Sequence, residues 1–170
     1  MVVDAYIALG SNLGDRRRYL RDAIAAMDGR LGEVLALSPL YETEPVGGPA
    51  GQAWYFNMVL RLHTALSAHG LMDGLLAIEQ EAGRVRTIKN GPRTLDLDLL
   101  LWDDLELSDE RLTLPHPRMG DRRFVLEPLA QVHPNPKAIV GLDFERAWAQ
   151  VRDQRVACRG PLAQPSKDVL

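Results

Sequence analysis

Several features that would direct an interpretation elsewhere are scarce or absent in this sequence. The single cysteine, Cys158, excludes an internal disulfide framework and a cysteine-rich zinc site, and it agrees with a reducing compartment. The net charge of −3 argues against a general nucleic-acid binder. No apolar run approaches the roughly 20 residues needed to cross a bilayer, and the first residues lack the basic region of a signal peptide. We therefore expect a cytoplasmic protein with no nucleic-acid or membrane partner.

The length of 170 residues is near the common size of one domain and is enough to bury a core. No internal repeat, low-complexity segment or long linker divides the chain. We expect a single domain over residues 1–170, with its core over about 2–152. Residues 153–170 are expected to form a loose tail, because the stretch 155–170 contains two prolines and few large apolar residues.

The order of the predicted elements indicates an α+β fold. Apolar spacing predicts strands over residues 2–9, 33–44, 55–63 and 95–101, a first helix carrying Leu20, Ile24 and Met27 that stops near Gly29, and a second helix capped by Ser67. This βαββαβ order is that of the ferredoxin-like arrangement, an antiparallel sheet with both helices on one face and the other face free for a site. C-terminal additions are expected: a short strand at 105–107 and helices around 122–132 and 143–151.

The most informative segment is an acidic strand. Between residues 95 and 101 every residue is leucine except Asp96 and Asp98. Strand side chains alternate between faces, so Leu95, Leu97 and Leu99 would face a core and both carboxylates would lie on the opposite face. Two negative charges side by side repel unless a cation lies between them, and Mg²⁺ is typically held by one or two carboxylates plus substrate phosphates. The alternative is an ordinary antiparallel strand with one wet, acidic face.

A basic stretch over residues 84–93 directly precedes this strand. It holds four cations, no acids and a Gly-Pro pair that marks a loop. A solvated loop is the alternative, but here cations and a carboxylate pair converge on one place. Polyphosphate transfer needs that combination, because its transition state spreads charge over oxygens that metals and guanidinium groups stabilise.

Three smaller patterns have two interpretations each. The glycine-rich turn at residues 10–14 could cradle an anion, or it could be a tight strand-to-helix turn capped by Asn12. His116 lies between two prolines in an arginine-bearing loop, which favours phosphate or nucleotide contact over a structural histidine. Tyr55 and Asn57 share one face of their strand; they could read a flat heterocycle, although packing and capping is the simpler interpretation.

Six segments then occur in the order of a known family: GSNLG (10–14), EPVG (44–47), YFN (55–57), GRVR (83–86), GPRTLDLDLL (91–100) and RLTLPHPRM (111–119). Over roughly residues 3–129 the chain resembles the 6-hydroxymethyl-7,8-dihydropterin pyrophosphokinase (HPPK) family of folate biosynthesis. The resemblance implies a ferredoxin-like fold, two Mg²⁺ ions and ATP as co-substrate. It also implies transfer of the β,γ-pyrophosphoryl unit of ATP to the pterin hydroxymethyl group, with release of AMP.

The resemblance assigns expected roles by position. Asp96 and Asp98 match the metal ligands, and together with Arg84 and Arg93 they form the expected catalytic group. The expected ATP contacts are Arg86, Arg111, Thr113, His116 and Arg122. The expected pterin pocket consists of Thr43, Pro45, Val46, Tyr55, Asn57 and Phe124, with the ring stacked between Tyr55 and Phe124. We expect a monomer whose partners are these two small molecules.

Two positions depart from the family pattern, and a third has no clear role. Asn90 stands where relatives often have an aromatic residue, which puts stacking from that loop in doubt. Pro117 stands where some relatives have tyrosine, which removes one possible nucleotide contact. Glu79 matches an acidic family position at the end of its helix.

Two rival functions can be separated from this one. A non-catalytic ferredoxin-like module that binds a nucleotide or another small molecule, or RNA, would share the topology. An RNA binder would need exposed aromatic residues where this chain has aspartates. A transferase of another family could use the same metal clamp, but only pyrophosphoryl transfer yields AMP together with a diphosphorylated acceptor.

Overall fold

The computed structural model describes residues 1–44, 50–83 and 94–162. The strands are β1 (Val3–Ser11), β2 (Glu33–Leu37), β3 (Leu40–Thr43), β4 (Tyr55–Thr64), β5 (Asp96–Trp102), β6 (Leu107–Ser108), β7 (Thr113–Leu114) and β8 (Val156–Gly160). The helices are α1 (Arg16–Arg30), α2 (Ala68–Glu81), α3 (Arg123–Val132) and α4 (Phe144–Val151), with 3-10 turns at Met119–Asp121 and Pro136–Ala138. No helix in these ranges combines the length and apolarity needed to span a membrane.

The main sheet confirms the ferredoxin-like prediction. Its strand order is β5-β1-β4-β3-β8, with β2 also paired to β4, and every pairing is antiparallel. β1 therefore lies between the acidic strand β5 and the strand that carries Tyr55 and Asn57. The two-stranded hairpin β6-β7 stands apart from this sheet, and of the short strand expected at 105–107 only Leu107 belongs to it.

The single strand expected over residues 33–44 is wrong, because two strands occupy its place. Pro39 has no backbone N–H to donate to a neighbouring strand, and the regular strand structure is interrupted there between β2 and β3. Ser38 bridges the gap: its N–H donates to the Val59 carbonyl at 2.9 Å, and its hydroxyl accepts from the Val59 N–H at 2.9 Å. Both strands thus remain attached to β4.

The first two helices cover one face of the sheet. Leu20 and Met27 of α1 and Leu71 and Leu75 of α2 are buried against it, which confirms the predicted helical stripes. Ser67 caps α2 as predicted, its side chain accepting from the Gly70 N–H. Non-helical angles at Asp28 and Gly29 mark the end of regular α1 close to the predicted stop.

The opposite face is not wholly free, which corrects the prediction. α3 packs Val125 and Leu129 against Tyr6, Val59 and neighbouring residues of the sheet. The helix has a strongly apolar side, so burying it against this face removes apolar surface from water. The open part of the face is therefore confined to one end, where β1 reaches Gly10.

The expected loose tail over 153–170 is also wrong for part of its length. Residues 156–160 form β8, which pairs with β3 in an antiparallel ladder. The exposed edge of β3 supplies the partner, and a backbone ladder does not require the large apolar residues whose scarcity suggested a tail. Residues 163–170 lie outside the described part of the chain.

Candidate active site

The open end of the sheet contains a cavity of about 420 Å³. Its floor is built on β1, where Gly10 pairs with Asp96 on one side and Asn57 on the other, and Ala8 pairs with Asp98. Small residues on the middle strand leave space between the acidic strand and β4. The cavity is thus a direct consequence of the side-chain sizes along β1.

Gly10 is needed here because of close packing. A Cβ on this residue would lie 3.0 Å from the Asn57 Oδ1 atom and 3.7 Å from the Tyr55 ring. A side chain at this position would crowd the Asn57 amide, contact the Tyr55 ring and occupy the cavity floor.

The two aspartates lie as the alternation predicts. Leu95, Leu97 and Leu99 are each at most 6% exposed and face the helix-covered core, whereas Asp96 and Asp98 are half-buried and line the cavity. Within the described ranges no group of three or more acidic, histidine or cysteine side chains could hold a metal. Two carboxylate donors still fit Mg²⁺, which takes oxygen ligands and keeps several waters or substrate oxygens.

Glu79 of α2 supports this strand from its outer edge. Among the described strands β5 lies at the edge of the sheet, so some of its N–H groups have no ladder partner there. The Glu79 carboxylate, only 2% exposed, accepts from the Leu97 N–H at 2.8 Å. Leu97 separates the two aspartates, so this contact fixes the backbone that carries them.

The wall opposite the aspartates carries the expected pterin-pocket residues of the described chain. Asn57 is buried and donates from Nδ2 to the Thr43 hydroxyl at 2.7 Å, which fixes the orientation of its amide. Tyr55 from β4 and Phe124 from α3 line the same cavity. Pro45 and Val46 lie outside the described residues.

The expected ATP contacts are divided. Arg122 lines the cavity, with its guanidinium carbon 5.6 Å from the centre of the Phe124 ring. Arg111 forms an exposed ion pair with Asp73 of α2, and Thr113 lies in the β6-β7 hairpin. Neither of these two residues lines the cavity, so the structure brings only part of the set together.

His116 lies next to the cavity rather than in its wall. The backbone N–H of His116 donates to the Leu100 carbonyl of β5 at 2.9 Å. The ring Nδ1 accepts from the backbone N–H of Arg118 at 3.2 Å. Burial lowers the pKa of His116, and the charges of Arg122 and Arg118 act in the same direction, whereas Asp96 opposes them. Its imidazole is therefore neutral near pH 7, with Nδ1 as an acceptor.

The remaining positions belong to the basic stretch over residues 84–93 and to the turn after His116. Arg84, Arg86, Asn90 and Arg93 all fall outside the described residues. Pro117 is exposed in the turn after His116.

The glycine-rich turn after β1 differs from the expected capping arrangement. Asp15, not Asn12, caps α1, since its side chain accepts from the Arg18 N–H. Asn12 is buried and its amide donates to the Gln52 side chain at 3.2 Å and to the Ala53 carbonyl at 3.1 Å. The turn is thereby tied to the segment that leads into β4.

Further cavity residues were not predicted. The lining also contains Leu9, Glu44, Met58, Arg118, Asp121, Val125 and Gln154. Arg118 belongs to the motif at 111–119, so its segment carried a signal. Gln154 lies in a region where neither a motif nor an apolar pattern marked it.

Comparison with known proteins gives a consistent result. Residues 6–134 match the family model described as 7,8-dihydro-6-hydroxymethylpterin-pyrophosphokinase (HPPK). The chain is 46% identical over 129 residues to the 2-amino-4-hydroxy-6-hydroxymethyldihydropteridine pyrophosphokinase of Bacillus subtilis, covering 75% of this chain and 77% of that one. It is 47% identical over 137 residues to the Pseudomonas aeruginosa protein of the same name, covering 79% and 83%.

A solved structure supports the fold alone. A triple mutant of Plasmodium falciparum HPPK-DHPS with STZ-DHP superposes with a TM-score of 0.69 at 12% identity, covering 90% of this chain and 44% of that one. The family match includes β2 to β5, most of β1 and the cavity residues up to Val125, whereas β8 lies beyond it. On these grounds the chain belongs to the 7,8-dihydro-6-hydroxymethylpterin-pyrophosphokinase family.

Proposed function

We propose that the cavity catalyses ATP-dependent pyrophosphoryl transfer to 6-hydroxymethyl-7,8-dihydropterin in folate biosynthesis. The pterin hydroxyl oxygen attacks the β-phosphorus of ATP and loses its proton. The bond from that phosphorus to the oxygen bridging the α- and β-phosphates breaks, and AMP leaves. The observation that carries this function is that one cavity joins two carboxylates to an amide and two aromatic side chains.

The pterin would lie against the β4 and α3 wall. A flat heterocycle with polar edges needs aromatic faces and a few oriented hydrogen-bonding groups. Tyr55 and Phe124 supply the faces, and Asn57, held by Thr43, supplies an amide of fixed orientation. Pro45 and Val46 complete this set by sequence position.

Asp96 and Asp98 would hold two Mg²⁺ ions with the phosphate oxygens of ATP. Bound there, the metal would neutralise charge on the transferring phosphates and orient them. The carboxylates themselves are held by β5 and by the Glu79 contact to Leu97. They need no large movement to present their oxygens to the cavity.

Cationic side chains would bind the nucleotide and the transferring group. Arg84 and Arg93 would stabilise the transition state of the transfer, because guanidinium groups pair bidentately with phosphate oxygens. Arg122 would contact ATP from the cavity wall, and His116 would contact it from a position beside the cavity. Arg86, Arg111 and Thr113 complete the nucleotide set, and Arg111 would have to exchange its contact with Asp73 for one with ATP.

The protein would act as a cytoplasmic monomer, with one domain over residues 1–170. Cys158 is exposed, which is compatible with a reducing compartment.

The test is product analysis with ATP, Mg²⁺ and the hydroxymethyl pterin. We expect AMP and pterin diphosphate in equal amounts. ADP with a monophosphorylated pterin would contradict the pyrophosphoryl step, and binding without any product would favour the non-catalytic module. Asp96→Asn should abolish product, whereas the exposed Asp104→Asn serves as a matched control that keeps it.

A further inference from the structure

Gln154 is the cavity residue that the family match does not include. It lies in the turn between α4 and β8, beyond the matched residues 6–134, and it lines the cavity beside Arg122 and Phe124.

The side-chain amide of Gln154 brackets Arg122. Its Oε1 accepts from the Arg123 N–H at 2.9 Å, and its Nε2 donates to the Asp121 carbonyl at 2.9 Å. These two groups belong to the peptide bonds on either side of Arg122. The residue between them is extended, with φ −130° and ψ 109°. The amide therefore pairs with Arg122 as a neighbouring β-strand would.

The same contact caps α3. Arg122 occupies the N-cap position but makes no side-chain capping bond. The first N–H groups of a helix have no partner within it. Gln154 satisfies the first of them, on Arg123, from a distant part of the chain.

A second set of bonds holds the turn in place. The Arg123 guanidinium donates from Nη1 to the carbonyls of Arg152 at 2.7 Å and Gln154 at 2.9 Å. Its Nε donates to Glu127 of the same helix at 2.8 Å. The turn and the start of α3 are thus joined through both side-chain and backbone groups.

We propose that Gln154 is a positioning residue that fixes the backbone of Arg122, so that the guanidinium group stays directed at the nucleotide. This inference rests on the proposed function only in taking ATP as the ligand of Arg122. Gln154 is exposed, so water competes for both of its bonds, and the expected effect is moderate: about tenfold in ATP affinity.

The test combines Gln154→Ala with Arg122→Ala in a double-mutant cycle. The probe is the Mg²⁺ complex of a non-hydrolysable ATP analogue, titrated by calorimetry, with KM for ATP and kcat measured in parallel. We expect Gln154→Ala to raise the Kd and KM about tenfold with kcat changed less than twofold. In the Arg122→Ala background it should change the Kd by less than about twofold, since its partner is already gone.

Two further variants keep the outcome decisive. Gln154→Met retains length and volume without the amide, so it should reproduce the Gln154→Ala result, and it carries the test if the alanine variant does not fold. Gln150→Ala, an exposed glutamine of α4, should leave affinity unchanged. A tenfold loss that persists without the Arg122 side chain would overturn the proposal, as would unchanged affinity in Gln154→Ala. If wild-type protein formed no AMP and pterin diphosphate, the proposed function would fail, but the calorimetric cycle would still judge Gln154.

Discussion

The Glu79 carboxylate accepts the backbone N–H of Leu97 at 2.8 Å, between the two aspartates that face the cavity. The contact comes from the helix side of the sheet, whereas the aspartates point to the other side. It joins the buried core to the acidic strand without entering the cavity.

Removing this acceptor should destabilise the fold. In Glu79→Ala the buried Leu97 N–H loses a partner, which typically costs about 1–3 kcal/mol. Urea unfolding would measure this loss, and Glu79→Gln should retain part of the stability because its carbonyl oxygen can still accept. The exposed Glu81→Ala, which removes a surface ion pair with Arg30, is the matched control and should lose less. Equal stability of Glu79→Ala and wild type would show that the contact contributes nothing.

The acidic pair should matter for chemistry more than for folding. We expect Asp96→Ala and Asp98→Ala each to lose most Mg²⁺-dependent turnover, at least about a hundredfold or 2.7 kcal/mol. Without metal both variants should remain folded and unfold cooperatively. Steady-state assays over a Mg²⁺ series and denaturant unfolding measure the two effects. Near-normal turnover at ordinary Mg²⁺ in both variants would exclude the metal role.

The two loop arginines should act mainly on the transition state. Arg84→Ala and Arg93→Ala are each expected to lower kcat/KM by at least about two powers of ten, or 2.7 kcal/mol. The exposed Arg18→Ala on α1 is a control with the same charge change. A variant that raised only the KM for ATP, with kcat intact, would identify a residue that binds substrate and transition state equally.

His116 should titrate below the ordinary histidine range of about 6.5. Burial lowers its pKa, with further lowering by the Arg122 and Arg118 charges against the opposing Asp96. The folded protein therefore binds this proton more weakly than the unfolded chain, so this group reduces stability as the pH falls below about 6.5. NMR titration of the imidazole tests the pKa directly, and Arg122→Gln should raise it. An unchanged value in that variant would mean that the two groups do not interact as the structure indicates.

The local spacing of apolar and polar residues predicted the helices and strands that have one side facing the core and the other facing solvent or the cavity. Asp96 and Asp98 were found because leucines alternate with them, and Ser67 because a cap precedes an apolar helical stripe. The break at Pro39 carried a local signal, its missing N–H, but the alternation on both sides of it suggested continuity. The pairing of β8 with β3 could not be predicted, because a backbone ladder is formed between residues far apart and needs no particular side chain.

The candidate site likewise contains residues that the sequence could identify and residues that it could not. Thr43, Tyr55, Asn57, Arg122 and Phe124 line one cavity, and the roles that the resemblance assigns to them there stay predictions. Gln154 acts through backbone groups of a distant segment, and no residue type or spacing near it marks that contact. The packing of α3 on the second sheet face likewise depends on tertiary contacts, which a helical pattern alone does not locate.

The pairing of β8 with β3 has a consequence for the order in which the protein can be completed on the ribosome. Thr43 lies opposite Val156 in that ladder and also receives the hydrogen bond that orients Asn57. Synthesis proceeds from the N-terminus, so β8 emerges after every other strand of the sheet. A nascent chain that has not yet released residues 156–160 already holds both aspartates, yet the strand carrying Thr43 still has an open edge. The edge of the strand that carries Thr43 is therefore closed only after residues 156–160 have emerged, later than both aspartates and later than the pairing partner β4.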